Sequence, residues 1–427
     1  MTKKLYDEDA YRTEFEAKVL SVTGRDDGGE LWDVVLDETL FFPEEGGQTP
    51  DKGMIEGYPV VDVQIKEDVI THTLSLGLEA EETDVDAFLA IFREGKTVQG
   101  KIDWKHRFSN MQQHTGEHIV SGLVHKTYGY ENVGFHLSDS IVTMDYDGPL
   151  TEAQVREIEW QANRVIIKNV EVHAEYPDAD TLSRLSYRSK KELSGPIRIV
   201  TITGVDVCAC CAPHVRSTGE VGLLKVIDVT SYKGGVRLSV LCGFRALLDY
   251  RTRLHQVREI SRLTSKPAEE IVEAVQTLKE EIGRQKQLLN DTGAELIRQK
   301  IALFEADPQN AASKNIILFA PECDMNRVRK LINELTERYE GYCGIFCEKV
   351  EGAKDVGGDV AANEHAEGNS CEGTTQYNYI IGSRNADCQA LLKQMQEKWN
   401  AKGGGKPVMI QGSLTANEND IYHLFRD

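Results

Sequence analysis

The chain of 427 residues is 40% hydrophobic and carries 49 Lys and Arg against 69 Asp and Glu, a formal net charge of -20. Such a length supports two or three domains that each bury a core, and no apolar run is long enough to span a bilayer. The acidity opposes diffuse phosphate binding, which relies on Lys and Arg displacing counterions. Nine cysteines without framework spacing, and a start from Met1 to Glu8 without a hydrophobic segment, point to a reducing compartment, with the cytoplasm as the expected location.

Residues 14–95 read mainly as short strands. Phe15 to Val22, Leu31 to Leu36, Met54 to Ile55 and Val60 to Val63 alternate or run apolar between Gly and Asp turns, so a small β-barrel or curled sheet is expected over residues 1–95. Thr39 reads here as a β-branched strand residue. Downstream of it, Gly46-Gly47 lets backbone approach a ligand that a Cβ would block, and Gln48 can both donate and accept a hydrogen bond. By itself a Gly-Gly pair is equally a tight turn.

The spacing of Met111, Ile119 and Leu123 predicts a helix from Asn110 to Lys126, entered through Asp103-Trp104-Lys105-His106-Arg107. His114 and His118, four apart, share a face of that helix and offer two imidazoles to one point. The zinc-protease motif H-E-x-x-H differs, because Glu117 here precedes the second histidine instead of following the first. Gly134 to Ser138 begins a hairpin ending at Asp145-Tyr146-Asp147; its His136 is either a third imidazole that orients water or substrate, or a packing residue. Thr151 is the expected N-cap of a supporting helix to Lys168, with Val155, Ile158, Ala162, Val165 and Ile166 at helical spacing.

Strands Ile197 to Thr203 and Leu223 to Thr230 bracket Cys210-Cys211-Ala212-Pro213-His214, with Gly204 and Asp206 read as turn formers. Spacing from His214 selects Cys210 as a thiolate donor, with Cys208 and Cys211 as decoys, although Cys211 is close enough to stand in. A mixed N/S set favours zinc over the hard cations. Arg184, Arg188, Lys190, Lys191 and Arg198 surround this loop, and Lys233, Arg237, Arg245, Arg251, Arg253 and Arg258 follow it. They form either a local basic surface on an acidic protein or a solvated face.

From Arg251 to Phe304 two apolar tracks recur every seven residues: Val275, Ile282, Leu289, Leu296, Leu303, and Ile271, Leu278, the second broken by Gln285 and Thr292. Pro267 splits the segment, giving a helical hairpin, a dimerising coil or an ordinary long helix packed on its own domain. Residues 314–427 read as a separate α/β unit, with strands Ile316 to Phe319 and Tyr379 to Ile381, helices Val328 to Tyr339 and Cys388 to Trp399, and a mobile loop from Asp355 to Glu372. Gly403 to Ser413 is expected to present backbone N–H groups to phosphates or sugars as a nest.

Phe41-Phe42-Pro43-Glu44-Glu45-Gly46-Gly47-Gln48, then the H-x-x-x-H, then C-x-x-x-H followed by Val215-Arg216-Ser217-Thr218-Gly219-Glu220-Val221-Gly222, resemble in order and spacing the editing domain of alanyl-tRNA synthetase. Gly403-Gly404-Gly405-Lys406-Pro407 with Gln411-Gly412-Ser413 resembles the end of the synthetase's C-terminal domain. The chain thus resembles the long form of the AlaX family, free-standing proteins that hydrolyse mischarged alanine tRNA.

The resemblance implies an α+β chain: a small β-barrel (1–95), a zinc-containing α+β editing core (96–244), a coiled-coil-like helical linker (245–305) and an α/β domain (306–427). It implies zinc on His114, His118, Cys210 and His214. Substrate would meet Thr39, Gly46, Gly47 and Gln48, and the catalytic set would be Thr39, Gln48, Gln113, Glu117 and His136. The Thr39 hydroxyl would distinguish serine from alanine by a hydrogen bond that alanine cannot make. Glu45 stands where the family usually has glycine. The expected activity is trans-editing hydrolysis of Ser-tRNA(Ala) and Gly-tRNA(Ala), with a non-catalytic tRNA-binding module on a structural zinc as the alternative. Expected partners are aminoacylated tRNA(Ala) and a second copy through residues 251–304.

Overall fold

Along β1 (Glu14–Gly24), Phe15, Ala17 and Val19 are buried while Glu14, Glu16 and Lys18 face solvent, the period of two that lays one strand face on a core. The strands β2 (Leu31–Leu36), β3 (Gly53–Ile55), β4 (Tyr58–Lys66), β5 (Val69–Ser75) and β6 (Thr97–Ile102) join it in a closed barrel of order β1-β2-β5-β4-β3-β6. Patterning missed β5, β6 and the helix α1 (Glu82–Ile91). Because β6 closes the barrel, the barrel runs past residue 95. The computed structural model describes residues 1–25, 30–77, 82–189, 196–349 and 374–426, and the chain divides into two units, 1–259 and 260–427. Lys190, Lys191 and the loop expected at 355–372 lie outside the described residues.

A neutral histidine sits inside the barrel. His72 is fully buried, its Nδ1 faces the Val34 carbonyl at 3.1 Å, and its Nε2 lies 2.8 Å from Thr39 Oγ1. A carbonyl only accepts, so Nδ1 carries the proton and the Thr39 hydroxyl donates to Nε2. Burial lowers the His72 pKa from 6.5 to about 4. The unfolded chain therefore binds a proton between pH 6.5 and 4 that the folded barrel refuses, and stability falls as pH falls through that window. The loss is about 3 kcal/mol for a shift of this size. Urea unfolding at several pH values should show this slope in the native chain and not in His72→Gln; equal slopes would remove His72 as its source.

The long helix α2 (Trp104–Tyr128) organises the rest of the first unit. It begins earlier than its apolar spacing indicates, because Asp103 caps it by accepting from the His106 N–H at 3.1 Å; Gly129, at φ 74°, ends it. Every residue from Asn110 to Val124 is buried, although Asn110, Gln112, Gln113, His114, Thr115, Glu117, His118 and Ser121 are polar. A polar helix buried all round must find partners for each group. Its apolar side, Met111, Ile119, Val120 and Val124, shares a core with the hairpin β7 (Asn132–Leu137) and β8 (Val142–Tyr146) and with α3 (Glu152–Lys168). Thr151 caps α3 in a reciprocal capping box with Gln154.

Next come β9 (Val172–Glu175), β10 (Ile199–Ile202) and β11 (Asp206–Ala209), a three-stranded sheet, then β12 (Leu224–Tyr232) and β13 (Gly235–Cys242), which complete the sheet β12-β13-β8-β7. The helix α4 (Gly243–Thr264) follows, and the division between the two units falls within its sequence.

After the last residues of α4, the second unit continues with α5 (Ile271–Ala306), preceded by a short turn that Pro267 caps. Ile297 and Ile301 of α5 are buried, whereas Val275, Leu278, Ile282, Leu289 and Leu303 are exposed. In β14 (Ile316–Ala320), Ile317 and Phe319 enter one core and Ile316, Leu318 and Ala320 the other, so both faces of the sheet are covered. That is why this strand reads as an unbroken apolar run. The helix α6 (Met325–Leu335), the strands β15 (Cys343–Glu348) and β16 (Thr375–Gly382), and α7 (Cys388–Trp399) follow it, with α6 on one face and α7 on the other. Gly403 to Ser413, expected as a nest, is instead a hairpin of β17 (Lys402–Lys406) and β18 (Met409–Ala416) at the edge of the sheet order β14-β15-β16-β18-β17. Its backbone groups facing β18 are spent on the ladder. No described helix is long and apolar enough to cross a membrane.

Candidate metal centre

On α2, His114 and His118 point one way; the loop after β11 brings Cys210 and His214 to meet them. One donor atom from each of these four residues lies within 4.8 Å of all the others. Cys210 Sγ is 3.5 Å from His114 Nε2 and 3.4 Å from His214 Nε2. Each imidazole is fixed at its far nitrogen: His114 Nδ1 lies 2.8 Å from Gln48 Oε1, His214 Nδ1 3.0 Å from Thr115 Oγ1, and His118 Nδ1 2.9 Å from Asp206 Oδ2. Protonated Nδ1 atoms donate to those oxygens, leaving three Nε2 lone pairs aimed at one point with the sulfur. Burial would raise the Cys210 thiol, but the neighbouring His114 and His214 outweigh it and hold the thiol well below its ordinary value. One thiolate and three imidazoles, each neutral once a cation sits among them, suit a divalent borderline-soft metal, so the residues present fit a resident metal.

The decoys separate cleanly. Burial pushes the Cys208 thiol up to about 11. Cys211 is also pushed up, by burial first, then by Cys210 and Glu45. Neither joins the four-donor set, although Cys208 belongs to a second group with His118 and Asp206.

The glycine loop forms one wall of the site. It is zipped to β7, with the Leu137 N–H donating to the Gly47 carbonyl at 2.7 Å and the Thr49 N–H to the Leu137 carbonyl at 3.2 Å. At Gly47, φ is 84° and a Cβ would fall 2.4 Å from the Phe135 carbonyl oxygen, so only glycine lets the loop lie this close. Gln48 thereby reaches His114 while its own Nε2 is buried without a partner among the described residues. Tyr6 Oη, Glu45 Oε2 and Thr49 Oγ1 are likewise buried and unpartnered. Gly46 lies beside Cys211, where a Cβ would sit 3.6 Å from Sγ.

Other expected site residues fare differently. Glu117 is buried, accepts from Ser121 Oγ at 2.7 Å and Asn132 Nδ2 at 2.6 Å, and sets Oε2 3.7 Å from His118 Nε2. Gln113 instead clamps β13: its Nε2 donates to the Cys242 carbonyl at 2.9 Å and its Oε1 accepts the Cys242 N–H at 2.7 Å, which commits its amide to structure. His136 is exposed, on the face of β7 opposite Phe135, whose ring packs 4.7 Å from His114. Thr39 is sealed in the barrel, where it donates to His72 and accepts from the Phe41 N–H at 3.1 Å.

Three of the expected basic residues are internal. Arg188 pairs with Asp206, Arg198 donates to the carbonyls of Cys210 and Ala212 at 3.1 and 2.8 Å, and Arg245 donates to Ser109, Ser138 and Asn110. Arg184, Lys233, Arg251 and Arg258 stay exposed, and so does Arg253 although it pairs with Asp249; Arg237, partly exposed, pairs with Asp145. Asp206, expected as a turn residue, opens β11 and contacts a donor histidine; only a partner 88 positions away gives it that place.

Residues 197–238, which hold β10, β11, the Cys210–His214 loop and β12, match the family model described as the threonyl and alanyl tRNA synthetase second additional domain. Over 254 residues, 58% of the chain, it is 33% identical to the alanyl-tRNA editing protein AlaX-L of Pyrococcus horikoshii, covering 59% of that protein. The chain is AlaX-like. An alanine–tRNA ligase of Ignicoccus hospitalis is 33% identical over 318 residues, 71% of this chain and 33% of the ligase. An alanyl-tRNA editing protein of Xenopus laevis is 30% identical over 288 residues, 64% of this chain and 66% of that protein. The AlaX-like chain therefore spans about a third of the ligase and about three fifths of the archaeal editing protein.

Proposed function

We propose that this AlaX-like chain deacylates mischarged tRNA(Ala), taking serine and glycine esters, with zinc held by His114, His118, Cys210 and His214. The observation that carries this reading is the convergence of four donors beside a glycine loop on which Glu45 Oε2, Gln48 Nε2 and Thr49 Oγ1 are buried without partners among the described residues. A small, polar ligand suits those atoms, because unpaired buried groups are costly and a ligand that satisfies them binds selectively. Zinc held by these residues would supply Lewis acidity toward an ester carbonyl. Glu45 Oε2 accepts from the substrate ammonium, and Gln48 Nε2 donates to the ester oxygen while its Oε1 keeps His114 oriented. Glu117, bordering the donor set, takes the proton of the attacking water and returns it to the ribose oxygen that leaves as the ester C–O bond breaks. With the Thr39 donor committed to His72, recognition of serine falls to the unpartnered atoms of the loop.

A second reading, a tRNA-binding module stapled by a structural zinc, is favoured by the four-donor set itself, since four protein ligands close a tetrahedral site. Hydrolysis and binding measured separately on charged tRNA(Ala) distinguish the two. The enzyme reading expects rapid loss of the serine and glycine esters with Ala-tRNA(Ala) spared. Binding with no accelerated hydrolysis would leave only the module.

A further inference from the structure

Behind His118 lies a pair of charges that the proposed chemistry does not use. Asp206 reaches His118 because Gly122 of α2 lets the strand come close: a Cβ there would sit 2.6 Å from the Val205 carbonyl oxygen and 2.8 Å from Asp206 Cβ. Arg188 grips Asp206 with both arms of its fork, Nε to Oδ1 at 2.8 Å and Nη2 to Oδ2 at 2.8 Å. The Arg188 and Asp206 side chains are 8% and 2% exposed. The backbone of Arg188 is held as well, its N–H donating to the Val207 carbonyl at 2.9 Å and its carbonyl accepting the Ala209 N–H at 3.0 Å. A bidentate guanidinium so fixed is a rigid support, not a solvated charge.

The same carboxylate has a competing use. His118, Asp206 and Cys208 form a buried trio of metal-capable groups that shares His118 with the four-donor set. An imidazole can serve only one of these with a given tautomer: Nδ1–H to Asp206 leaves Nε2 for Cys210 and its neighbours, whereas a bare Nδ1 would serve the trio.

We propose that Arg188 and Asp206 are positioning residues that lock His118 as the Nδ1–H tautomer and so steer the metal to His114, His118, Cys210 and His214, away from the His118, Asp206 and Cys208 trio. Arg188 acts in two ways. It orients both carboxylate oxygens, and it places a fixed cation where a metal in the trio would have to displace it. The inference rests on the part of the proposed function that puts a divalent metal on the four-donor set; it does not depend on the substrate.

Zinc titration of the full chain against a chromophoric chelator tests it, alongside ¹⁵N spectra of the His118 ring and thermal unfolding of the metal-free protein. Asp206→Asn and Arg188→Met are expected to weaken zinc binding by roughly 10- to 100-fold, the usual cost of losing a partner of a metal-bound imidazole. Arg188→Lys, which keeps the charge without the fork, should recover part of that loss and remains available if Arg188→Met does not fold. In the zinc-loaded native chain His118 should carry a single proton on Nδ1, and in the zinc-loaded variants a mixture of Nδ1–H and Nε2–H. Unchanged zinc affinity in folded variants, even with lowered melting temperatures, would reduce the pair to a structural one and overturn the proposal, as would an Nε2–H tautomer in the native protein. If the native chain takes up no zinc, the metal reading itself fails; if it binds zinc but hydrolyses no ester, the deacylase reading fails and this inference stands.

Discussion

Asp51→Ala is expected to destabilise the first unit by about 3–5 kcal/mol, the cost of leaving a buried charge without its partner. Asp51 and Arg107 have fully buried side chains. Arg107 Nε donates to both Asp51 oxygens at 3.1 and 3.0 Å, Nη1 to the Ala10 carbonyl at 3.0 Å, and Nη2 to Asp51 and the Leu40 carbonyl. Asp51 in turn accepts the Phe42 N–H at 2.7 Å and donates its own N–H to the Phe42 carbonyl at 2.9 Å. The pair thus closes the loop from Phe42 to Asp51, which carries Gly46, Gly47 and Gln48, and bolts it to the first turns of α2. Melting of the first unit should drop by roughly 6–20 °C, at the two to four degrees per kcal/mol usual for units of this size. Hydrolysis should fall with it, because Gln48 loses its fixed approach to His114. The double replacement Arg107→Met with Asp51→Leu should regain much of the stability, since an apolar pair carries no desolvation cost. A loss below about 1 kcal/mol in the single variant would mean the charges are hydrated in the folded chain.

Cys210→Ala should produce the largest functional effect. Structural zinc sites bind with about 10–16 kcal/mol in total, so one of four ligands carries roughly 2.5–4 kcal/mol, on the order of 10²- to 10³-fold in affinity. The adjacent Cys211→Ala should change zinc affinity by no more than about threefold, because a thiol raised by burial and by the sulfur beside it is a poor ligand. Metal content by atomic emission and ester hydrolysis should fall together in Cys210→Ala. Loss of metal in Cys211→Ala, with retention in Cys210→Ala, would reassign the ligand.

What was readable in the linear chain was what depends on neighbours within a turn or a strand. His114 and His118 share a helix face by their spacing alone, and Cys210 and His214 are presented by one short loop, so the metal-capable set was visible before the fold. The capping of α3 by Thr151 and the bounds of α7 followed likewise from caps and local periodicity. Strands β5 and β6 were not recognised because each pairs with a strand far back in the chain, Val35 with Thr71 and Glu14 with Lys101; β11, four residues long, and the helix α1 were missed as well.

The rest was decided by chain separation. Gln48 finds His114 across 66 positions, Gln113 finds Cys242 across 129, and Asp206 finds His118 across 88. A polar side chain's role depends on which group meets it once water is excluded. Packing thus turned Gln113 from a catalytic candidate into a clamp, put Thr39 to work on His72, and made a residue read as a turn former the support of a metal-facing imidazole. Local spacing determined which donors this protein owns; only the tertiary contacts, by satisfying or orphaning each buried polar atom, decided which of them face the site.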